Sequence, residues 1–288
     1  MKRAIFILTL LANLSVHGAG INDYYKVENI PAPKGLDVQI GGLTFLPDGR
    51  LAACFHRGEV YTYNPKTKIW KLFADGLHEP LGIIAEDNHT LVVMQRPELT
   101  RLRDTDGDGE ADHYQTISDQ FGMTGNYHEF AFGPARDKDG NYYVGLNLAS
   151  SGASIRPEIR GEFRHYGITR EQFYKNHKAG SGRMYSATPY RGWIMKIAPD
   201  GKTTPFASGF RSPNGVNFDA QGRLWATDNQ GDWLGTSKLF HVKENNFHGH
   251  PASLAWTDSW EKGRNPLKVP PSEFDAKRTR ASVLFPQG

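Results

Sequence analysis

The sequence predicts an all-β fold, a β-propeller of four-stranded antiparallel blades with about four blades present. Three observations carry that expectation. Gly (31), Pro (17) and aromatics (12%) are generous for 288 residues, and no long stretch of helix formers has helical periodicity. Many short strands joined by tight turns need that mixture. Second, one unit of strand, turn and strand recurs. It runs from Leu43 through Asp48-Gly49 to Leu51, from Gly82 through Asp87-Asn88 to Val93, from Phe130 through Asp139-Gly140 to Val144, and from Gly215 through Gln221-Gly222 to Ala226. Asp-Gly, Asp-Asn and Gln-Gly supply the positive φ that tight hairpins require. Third, more strand-like segments follow each unit: 59–63 with 69–73, 99–103 with 114–117, 193–197 with 204–207, and 238–242. Four strands per unit at a period of ~40 residues mark propeller blades. A β-sandwich would not reuse one turn motif at the same place in each unit.

Two stretches break the pattern. Residues 150–191 form a polar, Gly- and Arg-rich insertion in the third unit, expected as a lid-like excursion on one face. Four units precede the polar, Pro-rich stretch 262–288, so the propeller domain, spanning 21–288, reads as cut short at its C-terminal end. Segment 23–36 is then expected as a strand meant to close a ring with the missing blades.

Charge excludes one class of partner. The net charge of +3 comes from 34 basic and 31 acidic residues, interleaved without a basic stripe, so nucleic acid is not a partner. Lys2 and Arg3 precede the apolar run Ala4 to Val16, and small residues follow at Gly18, Ala19 and Gly20. That is a secretory signal over 1–20, too short to span a bilayer and unmatched by any later run, so the expected chain is exported to the periplasm or beyond and is not an integral membrane protein. The one cysteine, Cys54, lies in an apolar run and reads as a buried thiol. No CxxCH is present to attach a c-type haem.

Three motifs carry candidate chemistry. Asp104, Asp106, Asp108 and Asp112 alternate through a Gly-containing loop, with the Glu110 carbonyl as a further oxygen. A hard cation needing six to eight oxygens fits such a loop, and calcium is the expected ion. Gln115 stands where an EF-hand has its bidentate Glu, so the reading is a calcium loop between strands, tying two outer strands of blade two. His128, in Gly125-Asn126-Tyr127-His128-Glu129, directly precedes an innermost strand, where crossings line the mouth of the central channel. A neutral imidazole there is a candidate base for a hydroxyl proton. Arg211, in Gly209-Phe210-Arg211-Ser212-Pro213-Asn214-Gly215, precedes the next innermost strand, and Asp228-Asn229-Gln230-Gly231-Asp232 ends its neighbour. Arg211 offers a planar fork for carboxylates, and Gln230 with the Gly231 carbonyl could hold an anionic cofactor or a cation. His248-Gly249-His250 reads as turn packing.

These residues resemble the soluble glucose/sorbosone dehydrogenases, six-bladed propellers that use pyrroloquinoline quinone and calcium. The His128 crossing, the Gly-Phe-Arg-Ser-Pro-Asn-Gly segment and the Asn-Gln-Gly run carry the likeness. With Gln95-Arg96-Pro97-Glu98-Leu99 and the acidic loop, the chain is more similar to related dehydrogenase propellers of environmental bacteria, exported and sometimes haem-fused. The resemblance, over about residues 35–260, implies His128 as catalytic base, Arg211 and Asn214 in the quinone site, and Gln230 and Gly231 contacting cofactor and calcium. It also implies a sugar or polyol substrate and a cytochrome c-like electron acceptor. Ser212 departs from the family's Asn and Asp232 from its Pro, and further basic residues that grip the quinone would lie in later blades. Two alternatives remain: a gluconolactonase-type calcium lactone hydrolase using Asn214 and Asp228, and a non-catalytic propeller binding carbohydrate or a partner.

Overall fold

Period-two alternation and the turn residues between runs fold into sixteen strands in the computed structural model, which describes residues 20, 24–151, 155, 159–165, 169–175 and 183–286. The chain divides into two units, Met1–Leu36 and Asp37–Gly288. In the first, the described residues 24–36 hold no strand, which corrects the expectation of a ring-closing strand over 23–36. Pro31 and Pro33 lack the amide donors of a ladder, and Gly35 turns the chain at φ 84°. Apart from Gly20, the predicted signal segment lies outside the described residues.

The second unit is four antiparallel sheets of four sequence-consecutive strands. Blade one holds β1 (Ile40–Phe45), β2 (Leu51–Phe55), β3 (Val60–Asn64) and β4 (Ile69–Ala74). Blade two holds β5 (Ile83–Ala85), β6 (Thr90–Met94), β7 (Leu99–Arg103) and β8 (His113–Ser118). Blade three holds β9 (Ala131–Arg136), β10 (Tyr142–Leu146), β11 (Trp193–Ile197) and β12 (Thr203–Ser208). Blade four holds β13 (Asn217–Phe218), β14 (Leu224–Asp228), β15 (Lys238–Val242) and β16 (Val283–Leu284). β1 packs on β5, β5 on β9 and β9 on β13, the succession of propeller blades around an axis. No comparable packing among the described residues joins β13 to β1, so the blades form an arc.

The expected hairpin turns form, and Asp closes them. In blade four Asp219 Oδ1 accepts the amides of Gln221 (3.0 Å) and Arg223 (2.9 Å), while Oδ2 accepts Arg223 Nε (2.6 Å) and Trp225 Nε1 (2.8 Å). Asp137 does the same for Asp139 and Asn141 in blade three. Asx side chains that bond their own turn make it independent of neighbours.

The cores lie between blades. Val92, Met94 and Leu99 of blade two interlock with Val144, Leu146 and Met195 of blade three. Leu224, Ala226 and Phe240 meet Ala135, Tyr143 and Ile194 in the same way. Cys54 is fully buried between blades one and two, and burial pushes its thiol up to about 12, which makes it inert.

Backbone contact near the axis limits how closely blades approach. A Cβ on Gly42 would lie 2.8 Å from Gly82 Cα, and one on Gly82 would overlap the Gly133 carbonyl oxygen. Overpacking of this kind costs about 1–3 kcal/mol where the neighbour can yield, and backbone yields least. Gly82→Ala should therefore lower stability by at least about 2 kcal/mol in denaturant titration. Gly235→Ala, which meets nothing within 4 Å, should be near neutral; equal effects would mean that the close approach is not limiting.

Candidate functional site at the blade crossings

Up-and-down strand order decides which loops share an end of the unit. In every blade the first and third turns emerge together, and the second turn emerges with the crossing to the next blade. The loop after β2 (His56), the loop after β6 (Gln95 to Glu98), the insertion after β10 and the loop after β14 therefore share an end with the crossings 75–82, 119–130 and 209–216. His128 and Arg211 lie at this end. The acidic loop, between β7 and β8, lies at the other.

His128 is half-buried, and its Nδ1 is buried without a hydrogen-bond partner. Burial first, then the Arg211 and Arg96 guanidiniums, hold the imidazole below its ordinary range and so favour the neutral ring. Tyr127 stacks on it, ring centroids 3.9 Å apart. Phe130 stands edge-on between His128 (6.3 Å) and His56 of blade one (6.5 Å). Of the sequence-predicted residues, Arg211 is thus near enough to bias the charge of His128.

The loop carrying His128 is braced from three directions. Arg96 donates from Nη1 to the Asn126 carbonyl (2.7 Å) and from Nη2 to the Tyr127 carbonyl (2.8 Å). Its other edge grips Glu79, a residue at φ 49°, and its guanidinium lies 4.9 Å over Phe130. Asn126, fully buried, accepts the amides of His128 and Ser150 (both 3.1 Å) and donates to the Ser150 carbonyl (3.0 Å). Glu129 accepts the Thr124 amide (2.6 Å), and Arg191, at the end of the insertion, donates to the carbonyls of Gly122 (2.8 Å), Glu129 (3.1 Å) and Phe130 (3.2 Å). Burial raises the Glu129 carboxyl and lowers the Arg191 guanidinium, each toward its neutral form, while their mutual attraction opposes both shifts.

The insertion expected as a polar excursion shares an apolar core with Leu148, Ala252 and Leu267 outside it. Leu148, Ile155, Phe173, Met184 and Tyr185 cluster beneath its surface, Phe173 on the short helix α1 (Arg170–Lys175). Arg191 ties that cluster to the His128 loop.

The remaining predicted residues have these settings. Arg211 runs alongside Gly231, where a Cβ would collide with its side chain. Gln230 is exposed and accepts from Ser237 Oγ (3.1 Å). Asn214, also exposed, accepts from Thr227 Oγ1 (2.9 Å). Asp228 is committed: it accepts the amides of Arg211 (3.1 Å) and Ser212 (2.7 Å) and pairs with buried Lys238 (3.3 Å). Both oxygens are used, which disfavours it as a ligand for a water-activating metal.

At the other end, Asp104, Asp106 and Asp108 bring carboxylate oxygens within 4.8 Å of one another, a set that could hold a hard cation. Burial would raise the Asp104 carboxyl, but His89 (3.0 Å) and the amides of Gly107 (2.7 Å) and Gly109 (3.0 Å) outweigh it and hold it low. Asp112 turns instead to Thr105, and Lys71 reaches the Asp108 carbonyl and lies 3.9 Å from Glu110. A concavity of about 760 Å³ opens at this end between the turns of blades three and four. It holds none of the predicted residues, and its Asp137 and Asp219 carboxylates are consumed by their turns, so the crossings remain the better site.

Glu79 and Arg191 carry no signal in the sequence, and Arg96 and Glu129, though within the quoted motifs, have no role assigned there. Repeat alignment could have found Arg96, which stands two residues past β6 as Gln230 does past β14. No spacing links Glu129 to Arg191.

The β-propeller is also the fold of solved sugar dehydrogenases. An oxidoreductase of Thermus thermophilus described as a glucose dehydrogenase superposes with a TM-score of 0.55 at 16% identity, covering 88% of this chain and 71% of that one. The PQQ-bound aldose sugar dehydrogenase of Streptomyces coelicolor gives 0.52 at 14% identity, with 86% and 68% covered. The holo PQQ domain of pyranose dehydrogenase from Coprinopsis cinerea gives 0.56 at 11%, with 85% and 65% covered. By sequence, residues 67–259 match a domain family of unknown function, DUF7133, and the chain belongs to that family. No curated protein matches it.

One buried imidazole predicts a pH effect. Burial pushes His248 down to about 3, so the unfolded chain binds a proton that the folded chain refuses. Its stabilising effect is complete above the unfolded value near 6.5 and is lost as pH falls from there toward 3. His248→Gln should flatten stability against pH in that window by up to about 1.4 kcal/mol per unit. An unchanged slope would mean that His248 titrates normally.

Proposed function

We propose that this chain is a quinone-dependent sugar- or polyol-oxidising propeller in which His128 accepts the hydroxyl proton. The observation that supports it best is the half-buried imidazole at the crossing, its Nδ1 without a hydrogen-bond partner and its neutral form favoured first by burial and then by Arg211 of the next crossing. The residues fit pyrroloquinoline quinone in chemistry. Arg211 makes no ion pair with a carboxylate among the described residues, and Asn214, Gln230 and the Gly231 carbonyl are at the same end. Bound there, the quinone would supply a two-electron acceptor for the substrate's hydride. Arg211 would hold its carboxylates, and the Arg96 and Asn126 braces would keep the ring of His128 in place against the substrate.

The solved sugar dehydrogenases lend support only through their fold. A calcium ion held by Asp104, Asp106 and Asp108, with Asp112 and the Glu110 carbonyl closing in, belongs to the same proposal. Its role is structural, because the loop lies at the far end from His128.

The purified chain with added quinone and calcium should oxidise members of a sugar and polyol panel. His128→Ala should cost ~10²-fold or more in turnover with quinone affinity little changed, the usual weight of a general base. Normal turnover in that variant would remove the mechanism. The acid limb of the rate profile should fall below the usual histidine value of ~6.5, since only the unprotonated ring can accept a proton. Arg211→Ala should move that limb upward, and a limb that moves down would contradict the assigned contact.

In a separate measurement, Asp106→Ala should reduce thermal stability in calcium and leave it unchanged in chelator. Equal losses in both would make the loop a turn without an ion.

A further inference from the structure

Behind Arg211 lies a second, smaller space. It is partly enclosed by the crossing 209–215, the loop after β14 and the excursion 243–282 that precedes β16, and Arg211, Asp228, Lys238, His248, His250 and Arg278 line it. Its free volume of about 10 Å³ holds one atom-sized guest. A quinone or a sugar is far too large.

The polar atoms around it are in an unusual state. Arg211 Nε, Arg278 Nε, both ring nitrogens of His248 and His250 Nε2 are buried, and none has a hydrogen-bond partner. The nearest carboxylates stand off: Asp275 lies 3.6 Å from Arg278 Nε, and Asp232 lies 3.9 Å from His250 Nε2. Each such orphan costs about 1–3 kcal/mol, so five around one space are not a stable dry arrangement.

The donors decide what fits. Guanidinium Nε–H groups only donate. His250 Nδ1 accepts the Ala252 amide (3.3 Å), so in the neutral ring the proton sits on Nε2, making it a donor as well. Asp228 spends its charge on Lys238 (3.3 Å) and on two amides. Both guanidinium groups therefore face the space without a carboxylate in hydrogen-bond contact inside it. A water accepts two hydrogen bonds and brings no charge; three fixed donors, around an Arg211 with no ion pair and an Arg278 only loosely paired with Asp275, favour a monatomic anion. The space is also shaped for the arginines: a Cβ on Gly231 would collide with Arg211 Cδ, and one on Gly249 would lie 2.6 Å from Arg278 Cδ.

We infer that this chamber binds a single halide ion, chloride under ordinary conditions, held by Arg211, Arg278 and His250. Crystals of the full chain grown in bromide should show an anomalous peak within hydrogen-bond reach of Arg211 Nε and Arg278 Nε. In solution, chloride should raise Tm by at least about 2 °C over gluconate, an anion too large for the chamber, at equal ionic strength. Arg278→Gln should abolish that difference. Water alone in the chamber, a bromide peak without any chloride-dependent stability, or an undiminished chloride effect in Arg278→Gln would each overturn the assignment. Should Arg278→Gln fail to fold, the bromide map and the salt comparison on the unaltered chain decide.

Discussion

Backbone contact near the axis, at Gly42, Gly82 and Gly133, is the constraint on which the rest of the unit depends. Side chains elsewhere keep blades apart by their own thickness. Here a Cβ would meet a neighbouring strand's backbone, so the inner strands come as close as polypeptide allows. That closeness brings three crossings within reach of one another. Arg96 can then span from Glu79 to the carbonyls of residues 126 and 127, and Arg211 can act on His128.

The crossings have no hairpin geometry to hold them, and the molecule meets that need with buried charge. Arg96, Arg191 and Glu129 are almost wholly out of water, and most of their hydrogen bonds go to backbone. Buried charges of this kind add little net stability but select one arrangement strongly, since any other leaves a charge unsatisfied. His128 is the half-buried tip of this mount, which limits the positions its ring can take.

What could be read from sequence divides along the same line. The turns at the far end were legible because Asp48, Asp137 and Asp219 act on residues two to four positions away. Strand runs were legible because alternation is local, and Cys54 read as buried for the same reason. His128 and Arg211 stood out because each immediately precedes an innermost strand. The partners of the mount were not legible, since Glu129 meets Arg191, and Arg96 meets Asn126, only through the stacking of blades. Segment 23–36 misled because its apolar residues suggest a strand while Pro31 and Pro33 forbid one. The insertion looked polar because Phe173, Met184 and Tyr185 are scattered among charged residues and converge only in three dimensions.

The turn chemistry of the far end carries one more consequence. Each Asp closes a loop with atoms from its own hairpin, so a blade brings most of that end with it, although Asn88, Glu86 and Lys71 still link neighbouring blades there. At the crossing end no blade is complete, because its loops are finished by arginines borrowed from the blade or insertion beside it. Duplicating or exchanging a blade would keep the turns of one rim but lose its few links between blades, and would leave the other rim with mismatched charges throughout. Divergence within such a fold is therefore cheap on one rim and demands paired changes on the other. Paired change is expected mainly at the crossings, and least at turns such as those of Asp137 and Asp219, which close on their own hairpins.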